Sequence, residues 1–172
     1  MWRDSLKLLL PFLFVGGLLA MTHARGDIGA LLPAKEGYDM KVVERGRYLI
    51  KTSGCNDCHT PGYLQSEGKV PESLWLLGDT FGWQGPWGTT YPTNLRLAAR
   101  SLTGEGWVRM ARTLKNRPPM PWFNLNAMTE EDLAAMYQFI RYLGPAGTPA
   151  PSYVPPGQEP GGPHAIFPPP PK

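Results

Sequence analysis

The chain has 172 residues, with 17 Lys and Arg against 14 Asp and Glu, 20 Gly, 20 Pro and two Cys. So much Gly and Pro, with charged residues at only 18% against roughly 25% in an ordinary soluble domain, argues against a helix-dense bundle or a coiled coil. A net charge of +3 spread evenly along the chain lacks the basic stripe of a nucleic-acid binder, so no nucleic-acid partner is expected.

Residues 1–24 read as a signal peptide. Arg3 and Lys7 precede an uncharged run from Leu8 to Met21, and Thr22-His23-Ala24 puts small residues at the expected cleavage positions. The run is 14 residues long, about 21 Å as a helix, short of the ~30 Å core of a bilayer. An uncleaved membrane anchor is the alternative, and the only route by which a membrane would be involved. Either way the remainder is exported, and a periplasmic location, soluble or peripherally attached, is expected. Without the leader the chain keeps 15 basic and 13 acidic residues, so it is nearly neutral.

Residues 25–40 carry Gly, Pro and mixed charge without a period and read as an N-terminal lead-in. From Lys41 to Thr52, Val42, Val43, Gly46, Leu49 and Ile50 fall on one helical face. Gly46 in that face weakens a helix by about 1 kcal/mol relative to Ala, and such a glycine often admits close approach by another element. Residues 60–100 show no lasting period and hold Trp75, Trp83, Trp87 and Tyr91 among many Gly and Pro. So long an irregular stretch is unusual in a compact domain; its indoles need burial and hydrogen-bond acceptors, which a large apolar group with polar edges would supply.

A helix is expected from Thr103 to Lys115, with Trp107, Met110, Ala111 and Leu114 on one face, ended by Pro118-Pro119. The clearest helix runs from Glu130 to Leu143. Thr129 is its N-cap, Glu130, Glu131 and Asp132 suit the positive end of its dipole, and Gly144-Pro145 closes it. Residues 145–172 contain 11 Pro and 4 Gly and read as an extended, polyproline-like tail, either solvated and mobile or docked on a partner, with Tyr153, Ile166 and Phe167 able to pin it loosely.

The chemistry concentrates in Cys55-Asn56-Asp57-Cys58-His59, a C-x-x-C-H run of the kind that attaches haem c. Cysteines three apart on a helical turn put both sulfurs on one side, where they can add to two vinyl groups of a porphyrin, and the next residue brings an imidazole to the iron. Structural zinc would need a fourth ligand, and outside the leader the only other histidine is His164 in the tail. A redox dithiol normally sits in a βαβ setting, which is absent, and a disulfide here would close a tiny loop.

If His59 takes one side of an iron, the other side decides between electron transfer and ligand chemistry, and a methionine thioether there gives the former. Met110 and Met136 lie on apolar helix faces, Met40 precedes the first helix and Met128 precedes an N-cap. Met120 differs: it sits in Arg117-Pro118-Pro119-Met120-Pro121-Trp122, stiffened by three prolines. The alternative is that it merely packs in a proline turn.

Residues 41–144 resemble a monohaem c-type cytochrome with His/Met ligation. The matching features are Gly46, C-N-D-C-H at 55–59, P-P-M-P-W at 118–122 and the helix at 128–143. The resemblance implies an all-α, cytochrome c-like fold of three to four helices around one covalent haem c, with a long Gly/Trp-rich loop and a Pro-rich tail. It implies a crossing of the first and last helices at Gly46 against Phe139, or failing that Tyr137. G-P-W-G-T-T-Y-P-T-N-L at 85–95 is similar to periplasmic cytochromes and cytochrome subunits that serve dehydrogenases, which implies Trp87 and Asn94 as propionate contacts. No backbone acceptor for the second ring nitrogen of His59 is legible.

The function so implied is one-electron transfer, with cofactor-binding residues Cys55, Cys58, His59, Met120, Trp87 and Asn94, iron ligands His59 and Met120, and no catalytic residues. The expected partners are redox proteins, a dehydrogenase as donor and an oxidase or cytochrome as acceptor. A subunit held in a dehydrogenase complex, or a haem enzyme or gas-binding protein if Met120 is not a ligand, are the alternatives. Asp79 and Glu105 read as solvated loop carboxylates, and the tail is expected to be dispensable for haem binding.

Overall fold

The computed structural model describes residues 35–167. The expected signal peptide, most of the lead-in and the last five residues lie outside the described residues. Helix α1 spans Met40–Thr52 and starts at Asp39, whose carboxylate accepts from Lys41 N at 2.9 Å. Its buried face is Val43, Gly46, Leu49 and Ile50, as the 3–4 spacing requires. A single turn, α2, spans Cys55–His59. The last helix, α6, spans Glu130–Leu143; Thr129 accepts from Asp132 N at 3.1 Å, and Gly144 leaves the helix at φ 74°. Both ends of α6 fall where the cap residues place them.

α1 and α6 form the centre of the fold. Leu133, Met136, Phe139 and Ile140 of α6 pack with Val43, Leu49 and Ile50 of α1, and Arg45 bridges to Asp132 at 2.9 Å across the crossing. Helix α4, Gly104–Thr113, is shorter than its periodicity suggests. It buries Trp107 and Ala111, and Tyr137 of α6 donates its hydroxyl to Leu102 O at 2.8 Å. Two short helices complete the set, α3 at Leu95–Arg100 and α5 at Trp122–Ala127.

The fold is mainly helical, with six helices among the described residues, and it carries one small sheet besides. Strand β1, Gly82–Gly85, pairs antiparallel with β2, Gly88–Thr90, and parallel with β3, His164–Ile166, in the order β2-β1-β3. The expectation of a structureless stretch over 60–100 is corrected accordingly: besides this hairpin it contains α3 and a 3-10 turn at Glu72–Leu74. The hairpin strands are too short and Gly-rich to show a period of two.

The tail also departs from expectation, because it is a strap. Asn94 donates to Ala146 O and Thr148 O at 2.9 and 3.1 Å, Thr89 and Val154 exchange backbone hydrogen bonds at 2.8 and 3.0 Å, and Phe167 N donates to Gln84 O at 2.7 Å. Phe167 stacks on Trp83 and Trp87 with ring centroids 5.7 and 5.8 Å away. Of the three expected pins, Tyr153 and Phe167 hold the strap, while Ile166 points outward, 73% exposed.

The buried Arg96 anchors the strap where it leaves α6. Its guanidinium donates to Leu143 O, Gly144 O and Ser73 O, placing positive charge at the negative end of that helix. Burial pulls its pKa below the ordinary arginine value. Among the described residues no helix is long and apolar enough to cross a membrane.

Candidate functional site

Cys55, Cys58 and His59 lie together on α2. Gly54 enters the turn in the left-handed region at φ 71°, a conformation that suits glycine. At the far end Thr60 Oγ1 donates to Asn56 Oδ1 and accepts from Leu76 N, both at 2.8 Å. Gly78 N donates to His59 O at 2.9 Å. These bonds tie the turn to 76–78 on a buried side, since Asn56 and Thr60 are almost wholly enclosed.

The His59 ring is 8% exposed, and its Nδ1 lies 2.7 Å from Thr93 O. Facing a carbonyl, that nitrogen carries the proton and donates, which leaves Nε2 as the lone-pair nitrogen. Burial lowers the His59 pKa, opposed in part by the Thr93 hydrogen bond. The ring is therefore neutral, as metal ligation requires. This bond supplies the backbone acceptor that is not legible in the sequence, because it joins residues 34 apart.

Both cysteines are free thiols. Burial, then the charge of Asp57, pushes Cys55 up to about 12. Burial, Asp57 and Asp79 push Cys58 up as well. Reactive dithiols and zinc thiolates rest on the opposite environment, one that lowers the thiol pKa. Among the described residues no group of three or more His, Cys, Asp or Glu could hold a metal ion.

The other predicted residues divide. Trp87 closes the β1–β2 hairpin and its Nε1 is buried without a partner, as is the Oγ1 of Thr89. Asn94, by contrast, is fully committed. Its Oδ1 caps α3 by accepting from Leu97 N at 3.1 Å, and its Nδ2 holds the strap carbonyls. Asn94 has no donor left for a propionate, and that expectation is corrected to a structural role. Met120 is half-buried between Pro119 and Pro121, its carbonyl accepting from Trp122 N at 2.9 Å.

One short segment reaches both candidate ligand regions. Thr93 holds the His59 ring, and Thr90 Oγ1 donates to Pro118 O at 3.0 Å, two residues before Met120. Three peptide units separate the two threonine Cα atoms by at most about 11 Å. Thr90 and Thr93 lie inside the 85–95 run, but the sequence does not show these contacts, because they join residues 34 and 28 positions apart.

A large planar group tethered here fits the donor set. Two unpaired thiols lie three residues apart on one helical turn, a neutral imidazole presents Nε2, and the indole N–H of Trp87 needs an acceptor. A cleft beside Cys58, walled by Asp57, Asp79, Phe81 and Trp83, measures 240 Å³, below the ~300–1,000 Å³ of ligand pockets. The fit therefore rests on the donor atoms and not on that cleft. The expectation that the indoles need a non-protein body is met partly by the protein: Trp75 Nε1 donates to Val70 O at 2.9 Å, and Trp83 and Trp87 stack on Phe167. The chain matches no protein-family model, no curated protein and no solved structure.

Proposed function

We propose that this chain is an exported one-electron carrier of the c-type cytochrome class, with a single haem c joined to Cys55 and Cys58 and with His59 and Met120 as axial ligands. The observation that carries the reading is the state of α2: two free thiols on one turn, followed directly by an imidazole whose Nδ1 is already held by Thr93 O at 2.7 Å. When bound, such a group supplies a reversible one-electron iron couple, raised in potential by a thioether ligand.

The residues of the chain then have distinct tasks. Thr93 fixes the ring plane of His59 and, by accepting from Nδ1, strengthens Nε2 as a donor. Thr60, which donates to Asn56 Oδ1 and accepts from Leu76 N, holds the thiol-bearing turn in place. Trp87, whose buried N–H lacks a partner in the chain alone, would be able to donate to a carboxylate of the bound group. The three prolines around Met120 hold a weak ligand at low ordering entropy.

The partners proposed are redox proteins, with a periplasmic dehydrogenase as donor and a cytochrome or oxidase as acceptor. The near-neutral charge of the chain without its leader favours recognition through a small apolar patch over strong electrostatic steering.

The test is spectroscopic. Protein made with haem-maturation machinery is expected to keep its colour through acid–acetone extraction and to show a ferric sulfur-to-iron charge-transfer band that Met120→Ala removes. Covalent haem without that band points instead to an open coordination site and a ligand-binding or enzymatic role.

A further inference from the structure

The loop between α4 and α5 carries Met120, yet most of it is exposed: Lys115, Asn116, Arg117 and Pro118 all face solvent. Among the described residues, two side-chain polar or ring contacts tie residues 115–121 to the rest of the fold. One is the Thr90 hydroxyl on Pro118 O. The other is the guanidinium of Arg117, which lies 3.8 Å from the centre of the Tyr153 ring. Arg117 makes no ion pair among the described residues, so the aromatic face is its charge partner. A planar guanidinium stacked on a ring is a favourable, geometrically specific contact.

Tyr153 is itself held on the hairpin. Its hydroxyl donates to Trp87 O at 2.8 Å. The neighbouring Val154 exchanges backbone hydrogen bonds with Thr89 at 2.8 and 3.0 Å. Gly88 makes room for this approach: a Cβ there would lie 2.4 Å from Val154 O and 2.9 Å from the Tyr153 ring. Further along, β3 and Phe167 lock the strap onto β1 and the two tryptophans. A rigid track therefore runs from the sheet through Tyr153 to Arg117, three residues before Met120.

We propose that the C-terminal strap positions the sixth ligand: Tyr153, by stacking on Arg117, clamps the Met120 loop so that the thioether stays at the iron. The inference rests on the ligand reading above and goes beyond it by giving the strap a task at the metal. Tyr153 and Arg117 are positioning residues and touch neither iron nor porphyrin. Loss of the clamp leaves the Thr90 hydroxyl as the remaining side-chain polar contact between the loop and the rest of the fold among the described residues, frees Met120 to leave, and opens the sixth position to small ligands.

The experiment uses the full-length haem-loaded protein with Tyr153→Ala, Tyr153→Phe, Arg117→Gln and the Y153A/R117Q double variant, with Ile166→Ser as a strap control on the exposed face. Three quantities are read: carbon monoxide binding to the ferrous form, the ferric sulfur-to-iron band, and amide hydrogen exchange across residues 115–122. Arg117→Gln is expected to raise both carbon monoxide affinity and loop exchange about two- to fivefold, the worth of a partly exposed cation–π contact. Tyr153→Ala, which also loses the bond to Trp87 O, should raise both roughly tenfold and weaken the band. The double variant should go no further than Y153A, Y153F should fall between it and the parent, and I166S should change nothing.

A band and loop exchange that survive unchanged in both Y153A and R117Q overturn the proposal while leaving the ligand reading intact. Faster loop exchange with unaltered carbon monoxide binding and band also overturns it, since the clamp then does not reach the iron. A parent protein with covalent haem but no sulfur-to-iron band overturns the ligand reading, and the proposal with it.

Discussion

Gly46 lies so close to Ala135 that a Cβ on it would stand 2.0 Å from the Ala135 carbonyl oxygen and 2.9 Å from Phe139 Cβ. The backbones of α1 and α6 touch at this point, and only hydrogen fits between them. The helix weakness that Gly46 introduces is the condition for the crossing around which the core is built. Phe139, fully buried, is its aromatic partner; Tyr137 instead faces Trp107 and Leu102. Gly46→Ala is expected to destabilise the protein by about 3 kcal/mol, because the obstacle is backbone that cannot rotate away. Urea unfolding measures this, and a gain in stability near the ~1 kcal/mol that Ala gives an isolated helix over Gly would show the helices sliding apart without strain.

Arg96 gives a second prediction. Its three hydrogen bonds go to backbone carbonyls, with no carboxylate among them. Arg96→Met removes the donor from all three carbonyls, a loss of about 3 kcal/mol, and Arg96→Lys recovers only part of it because one ammonium cannot match the fork. Chemical unfolding, together with protease cleavage within residues 145–155, reads both consequences; an unchanged cleavage rate would show that the strap does not depend on this anchor.

Deletion of residues 148–172 tests the strap as a whole. The composition of the tail suggests that it is dispensable, but it supplies β3, the Val154 bridge and the ring that covers Trp83 and Trp87. Truncation is expected to lower stability by at least about 3 kcal/mol and to shift tryptophan emission to the red as the indoles meet water. Haem attachment, which depends on α2, should persist. A truncated protein with unchanged emission and unfolding midpoint would return the tail to the role of a free appendage.

Trp87 offers a prediction of sign. Its Nε1–H is buried and unpaired in the chain alone, so removing the N–H with Trp87→Phe would be neutral or stabilising if nothing ever accepted from it. With a haem propionate as acceptor, the same substitution should instead destabilise the haem-loaded protein by about 1 kcal/mol or more, since a hydrogen bond to a charged group is lost. Thermal unfolding of the loaded form distinguishes the two.

What could be read from the sequence was local. Thr129 and Gly144 mark the ends of α6 because caps act within four residues, and the C-x-x-C-H turn and the Gly46 face are equally short in range. The misses are long-range. His59 finds Thr93, Asn94 finds Ala146 and Thr148, and β1 finds β3 across some eighty residues of chain. A segment rich in Pro and Gly has no pattern of its own; its order comes from what it lies against. Asn94 shows the hazard most clearly, since an asparagine beside a Trp-rich run reads as a ligand contact while its amide is spent entirely on backbone.

The most direct measurement is the covalent state of the two thiols. Exported protein produced with haem-maturation machinery should, after denaturation and acid–acetone extraction, carry one haem per chain by pyridine haemochrome and by intact mass. Peptide mapping should place both thioethers at Cys55 and Cys58, and Cys55→Ala with Cys58→Ala should abolish the colour. Protein that folds, stays colourless and retains two titratable thiols under those conditions would contradict the account.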